Sequence, residues 1–287
     1  MSIKKFKVLF TPANLLLMNL AVGDVLMVIS QNPFSGISAM MNRWLFGEVG
    51  CQVYGFMGFL SGTVMIGSMT VIAVYRYHVT KWSYENVNLT FKKTAVILAG
   101  VWIYAFFWSL MPLLGWARYD LEPSLTACTI DWRNNDVSYK TFLVTYCTFG
   151  FIIPFSIQII CYYEASNILK RTDPRNNRNS IEDHKVKPAF VWALHSSANK
   201  MGIALVSSFL IAWTPYAILC MWTVIDVPDT VPFFLTLIPP IFAKSFTFIN
   251  PLVFYCSHPR LRRAMKLTVT KCCQDYPLDL PVDLEDV

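Results

Sequence analysis

Charge is scarce in this 287-residue chain. Only 15% of its residues are Asp, Glu, Lys or Arg, against about 25% in an ordinary soluble domain. With 55% hydrophobic residues, that shortage argues against one or two soluble domains. Alternating segments of about ten residues are absent too, which excludes a membrane barrel. There is no 20–50-residue repeat, and so no support for a transporter built of inverted halves. The histidines His78, His184, His195 and His258 are scattered, and no phosphate-binding loop occurs. Neither a metal centre nor a nucleotide site is expected. The opening "MSIKKFKVLFTPANLLLMNLAVGDVLMVIS" has a basic start but no small-residue cleavage site. Asn14, Asn19 and Asp24 interrupt its apolar run, so it reads as a membrane helix rather than a cleaved leader.

What the chain does have is long apolar runs. Several approach about 20 residues, enough to cross a hydrocarbon core of about 30 Å as helix. The fold class is therefore all-α, a polytopic membrane helix bundle. Six spans are expected, near 11–33, 50–74, 94–113, 140–163, 201–225 and 232–256. Of 24 lysines and arginines, nineteen fall in the alternate connections 1–10, 75–93, 164–200 and 257–287. Only Arg43, Arg118, Arg133 and Lys140 fall in the others, and Lys244 lies inside a span. The positive-inside rule makes the basic side, with both termini, cytoplasmic. The net charge of +6 thus reads as topology, and nucleic acid is not an expected partner.

Of the eight cysteines, Cys147, Cys161, Cys220 and Cys256 fall in spans and read as inert core residues. Cys51 and Cys128 both face the outer, oxidising space, where a disulfide would pin loop 114–139 over the bundle. Two free thiols are the alternative. Cys272 and Cys273 follow the basic amphipathic stretch "HPRLRRAMKLTVTKCC". That stretch reads as an interfacial helix on membrane lipid, with both cysteines as lipidation sites or, more simply, as a solvated tail.

Two ionisable residues lie inside spans, where each costs roughly 2.5–3.5 kcal/mol to insert. Asp24 has Asn14, Asn19 and Asn250 as candidate partners, in an ion-binding cluster or a structural polar network. Lys244 lies in "IPPIFAKSFTFINP", with no acid within ten residues. It is too deep to reach the interface easily. Desolvation favours its neutral amine, a nucleophile that condenses with aldehydes to a Schiff base. A salt bridge to Asp24 or Glu122 is the competing reading. Pro112, Pro154, Pro215, Pro239, Pro240 and Pro251 each remove a backbone donor and can kink a helix.

The constellation resembles the opsins, within the rhodopsin-like G-protein-coupled receptors, from residue 11 to about 266. "NLAVGD" with Asp24 is similar to the family's second-helix motif. Cys51 and Cys128 match its disulfide, with Trp116 ahead of the loop. "AWTPY" matches the sixth-helix switch with Trp213, Pro215 and Tyr216, and Asn250-Pro251 the start of the seventh-helix motif. "FAKS" puts Lys244 on the retinal-binding lysine. "GCQVYG", "EPSLTACTIDWRNND" and "IFAKS" look most like peropsin and the retinochrome- and neuropsin-like opsins.

The resemblance implies retinal as covalent cofactor on Lys244. Tyr54 stands where many opsins carry the acid that balances the charge, so Glu122, six residues before Cys128, is the implied counterion, with Tyr54 hydrogen-bonding within the pair. Trp213 and Tyr216 would line the chromophore. Asp24, Arg76, Tyr162, Asn250 and Pro251 would form the signalling switch. A heterotrimeric G protein and arrestin would be partners, in a plasma, photoreceptor or pigment-cell membrane.

Three departures stand out. The family's Asp/Glu-Arg-Tyr triplet reads Tyr75-Arg76-Tyr77, so Arg76 has lost its acidic neighbour. Phe254 replaces the tyrosine of Asn-Pro-x-x-Tyr. The first span matches the family's second helix, so residues 1–256 read as a receptor bundle without its first helix, and 257–287 as amphipathic helix and tail. The main expectation is a light-sensing receptor. The alternative is a light-driven isomerase that turns all-trans- into 11-cis-retinal, favoured by the changes at 75 and 254. A transporter offers no role for the cysteine pair or "AWTPY".

Overall fold

The computed structural model describes residues 11–82, 87, 89–133, 136–175, 189–226 and 231–257, without the side chains of Phe233, Lys244, Ser245, Phe246 and Phe254. Cys272, Cys273 and the amphipathic stretch after Ser257 lie outside the described residues.

Helix α1 (Pro12–Met40) starts at Thr11, whose hydroxyl accepts from the Asn14 N–H at 3.1 Å. Pro12 sits in the first turn, where a missing N–H is not needed. The expected span ended at residue 33, yet α1 continues through Pro33. The Ser35 hydroxyl donates back to the Gln31 carbonyl at 2.9 Å in that stretch. Helix α2 (Gly47–Trp82) follows, then α3 (Phe91–Leu110), which is capped by Thr90 and ends in a 3-10 turn at Met111–Leu114. Helix α4 (Val137–Tyr146) begins under Asp136, whose carboxylate accepts from the Tyr139 N–H at 2.7 Å. A π-helical stretch, Cys147–Ile152, joins it to α5 (Ile153–Arg171). The wide turn sits just ahead of Pro154, which cannot donate to the helical ladder. Helices α6 (Ala189–Ile225) and α7 (Phe233–Ser257) complete the bundle.

Among the described residues, five stretches are long and apolar enough to cross a membrane: α1, α2, α3 with its 3-10 turn, α4–α5 as one unit, and α6. The helices outrun the expected spans, because hydropathy marks membrane thickness rather than where a helix stops. Helix α2 is the hub, packing against α1, α3, α5 and α6. In its apolar window 61% of residues are buried, against 22–33% in the other four. Leu20, Met27, Met65, Met69, Phe155, Leu205 and Phe209 form the central core. Ile103, Ile211 and Val96 face outward, as lipid-facing residues do.

The bundle is helical as expected, with one addition. Loop 114–139 carries a two-stranded antiparallel hairpin, β1 (Tyr119–Leu121) with β2 (Cys128–Ile130). Its register pairs Tyr119 with Ile130, Asp120 with Thr129 and Leu121 with Cys128. Three-residue strands are too short to leave a period in the sequence.

Candidate functional site

The hairpin is fastened to the bundle from several directions. Cys51, at the start of α2, is disulfide-bonded to Cys128 with Cα atoms 5.4 Å apart, an ordinary spacing for that bond. The Gln52 side-chain amide donates to the Tyr119 carbonyl at 3.0 Å. The Tyr119 ring lies directly on Gly55, where a Cβ would stand 2.5 Å from the ring, so only glycine permits this approach. The Tyr119 hydroxyl donates to the Ser109 carbonyl at 2.8 Å, and burial pushes its phenol well above the usual tyrosine range. On α6, the Tyr216 and Thr129 hydroxyls are 2.8 Å apart.

The open end of the hairpin is held by charge. The Arg118 Nε and NH2 groups both donate to one Asp131 oxygen, at 2.9 and 2.7 Å. That hydrogen bond, more than bulk Coulomb attraction, raises the Arg118 pKa above its ordinary value. Arg133 reaches Asp120 at 3.3 Å and Asp131 at 3.6 Å.

At the tight end of the hairpin sits Glu122. Its backbone N–H donates to Ala127 and its carbonyl accepts from Leu125, both at 2.9 Å. Leu125 takes the left-handed conformation that this turn needs, at φ 57°. A loop glutamate would ordinarily be solvated, but Glu122 is 5% exposed. Its carboxylate is near enough to Tyr216 and Cys220 of α6 to act on both electrostatically. Tyr54 lies next to the hairpin in a cluster with Cys51, Ala127 and Cys128, and meets Trp44 edge-on at 5.2 Å.

The part of α6 nearest Glu122 is aromatic. Trp213 stacks on Phe209 at 5.5 Å and meets Tyr216 edge-on at 6.3 Å. Its buried indole N–H finds no hydrogen-bond partner among the described residues. Phe59 of α2 packs against Tyr146 at 4.4 Å and Phe142 at 5.9 Å. On α7, Thr236, Pro239, Pro240, Ala243, Thr247 and Asn250 are buried. They form one stripe, and helical spacing from Pro240 and Thr247 puts position 244 on it. The Lys244 side chain itself lies outside the description. One buried acid among flat apolar surfaces suits a conjugated apolar ligand that brings, or acquires, a single positive charge.

The remaining expected residues fall into two pairs away from the hairpin. The Asn250 side-chain amide donates to Asp24 at 2.8 Å, joining α7 to α1 with both residues buried. Pro251 follows it inside α7. Asn19 does not join Asp24. It donates to Ser68 at 2.7 Å and accepts from Trp102 at 2.9 Å, and Asn14 lies at the α1 cap. Arg76 is close enough to the Tyr162 phenol to act on it electrostatically. The residue before it, Tyr75, is buried and offers Arg76 a ring, 5.9 Å from centroid to guanidinium carbon, in place of a carboxylate. The Tyr162 phenol lies against Gly202 of α6 so closely that a Cβ there would overlap it. Gly202, Thr129 and Gln158 escaped the reading of the sequence. Gln158 is fully buried and donates to Thr70 across α5 and α2 at 2.8 Å. A lone polar or small residue in an apolar run announces nothing until its neighbour is known.

The chain matches the family model described as 7 transmembrane receptor (rhodopsin family) over residues 1–254. It is 34% identical over 284 residues to the visual pigment-like receptor peropsin of Mus musculus and 35% identical over 284 residues to that of Homo sapiens. Both alignments cover 98% of this chain and 82% of the relative. The crystal structure of squid rhodopsin superposes with a TM-score of 0.83 at 28% identity, covering 96% of this chain and 80% of the other.

Proposed function

Because the chain belongs to the rhodopsin family of seven-transmembrane receptors, among the opsins, we propose that it is a retinal-binding photopigment and light-sensing receptor, with retinal held covalently through the Lys244 amine. The observation that carries this reading is Glu122, a loop carboxylate buried to 5% exposure beside the α6 aromatics. A buried carboxylate calls for a positive partner, and a protonated nitrogen on Lys244 is one. Retinal supplies the light absorption and the change of shape. The chain's own residues do the rest.

Glu122 keeps the Lys244 nitrogen protonated, since a nearby opposite charge favours the charged form. Tyr54, packed beside the hairpin, supports that pair. Trp213 and Tyr216 border the chromophore on α6, on either side of Pro215, where the helix lacks one backbone donor. Pressure at 213–216 therefore acts where α6 is weakest and biases an inactive–active equilibrium. The change reaches the cytoplasmic end through Asp24, Asn250 and Pro251, and is read out at Arg76 and Tyr162. A heterotrimeric G protein, and then arrestin, would engage that end. Residues 1–256 are the receptor bundle. Cys272 and Cys273, which lie outside the described residues, would be the lipid anchors of the cytoplasmic end in a plasma, photoreceptor or pigment-cell membrane.

One observation favours a second reading. The position before Arg76 holds a buried tyrosine, so the resting ion pair of a switching receptor cannot form there. A photoisomerase with 11-cis-retinal as its output needs no such switch. Light-dependent nucleotide exchange on a G protein marks the receptor. Net release of 11-cis-retinal marks the isomerase.

The primary test is an absorption spectrum of the membrane-expressed chain incubated with all-trans-retinal, beside Lys244→Ala. A visible band in the parent and none in the variant is expected. An equal band in both would overturn the assignment of Lys244.

A further inference from the structure

Thr129 follows the disulfide cysteine directly and faces Asp120 across the hairpin. Its hydroxyl is 2.8 Å from that of Tyr216. The other hairpin attachments described above lead to α2 or to the Met111 side of α3: the disulfide, the Gln52 amide and the Ser109 carbonyl. The Thr129–Tyr216 bond leads instead to α6, one residue beyond Pro215. Glu122 hangs from the same hairpin, two positions past Asp120, with its backbone locked to Ala127. The carboxylate and the Tyr216 phenol are thus connected through a short rigid path: turn, strand pair, threonine hydroxyl.

We infer that Thr129 is a positioning residue, which fixes the carboxylate of Glu122 relative to α6 so that movement of α6 at 213–216 moves the counterion with it. The inference rests on the retinal reading above. The isomorphous change Thr129→Val keeps the β-branched shape that suits a strand and removes only the hydroxyl. Thr129→Ser keeps the hydroxyl.

Two readouts decide it. In the pigment, a carboxylate freed to sit farther from the Lys244 nitrogen stabilises the ground-state charge less, so the band of Thr129→Val moves to longer wavelength. Thr129→Ser returns it to the parent position. Identical maxima for parent and Thr129→Val would overturn the inference. The second readout needs no chromophore. Amide hydrogen exchange of residues 119–130 in the retinal-free chain should quicken about fivefold in Thr129→Val, the effect of losing one net hydrogen bond. Unchanged exchange would overturn the tether. A parent chain that forms no Lys244-dependent band would sink the retinal reading instead, and the exchange experiment would still decide the tether.

Discussion

Gly202→Ala is expected to destabilise the bundle by about 1–3 kcal/mol, although it adds one methyl to a helix. Alanine is the better helix former by about 1 kcal/mol, so propensity alone predicts the opposite sign. The difference comes from Tyr162. Its ring lies on Gly202, and the added Cβ would overlap the hydroxyl, Cζ and Cε1 together. The tyrosine is 5% exposed and belongs to the central core with Phe155, Phe209 and Met201. Overpacking among buried core side chains costs about 1–3 kcal/mol. The melting temperature in detergent should therefore fall by about 2–12 °C, at about 2–4 °C per kcal/mol for a chain of this size. The atom nearest the new methyl is the hydroxyl oxygen, so Tyr162→Phe should relieve part of the clash. In the Tyr162→Phe background Gly202→Ala should cost measurably less, a coupling read from a double-mutant cycle. A melting temperature equal to or above the parent's for Gly202→Ala would refute the packing argument. Equal cost in both backgrounds would show that Tyr162 is not what the methyl meets.

On the proposed assignment, Glu122→Gln removes the negative charge that would favour a protonated Lys244 linkage, so the visible band should be lost at lower pH than in the parent. The sign follows from the charged form being the one that loses support; a midpoint unchanged or raised would show that another group balances the nitrogen. Cys128→Ala opens a loop spanning 77 residues, worth about 4–5 kcal/mol on a chain-entropy model. The variant should melt well below the parent, and to the same extent as Cys51→Ala. Unequal losses would mean that one cysteine acts outside the bond.

Asp24 shows how far the sequence carried. An acid in mid-span had to find a partner, and the "NP" asparagine far along the chain proved to be it. The sequence could not say that Asn19 would turn to Ser68 and Trp102 instead, because three asparagines in apolar surroundings look alike. The spans were legible, since twenty apolar residues have few other fates. The helix ends were not. Helix α6 begins at Ala189 and α5 runs to Arg171, where polar turns continue the helix beyond the apolar run. Glu122 was the sharpest divide. Its chemistry pointed to solvent, and only the resemblance pointed inward. The structure buries it because the hairpin folds down onto α2 and α6. Tyr119 on Gly55 fixes that descent, a contact between residues that no spacing rule connects.

The cystine that closes the lid also carries a schedule. A ribosome adding about 5–20 residues per second needs about 4–15 seconds to travel the 77 residues from Cys51 to Cys128. During that interval Cys51 waits as an unpaired thiol, while α2 and α3 must settle as a helical pair. The lid cannot be sealed until both have done so. A substitution in α3 that delays its entry into the bilayer would therefore prolong the exposure of Cys51 to foreign thiols, without touching either cysteine.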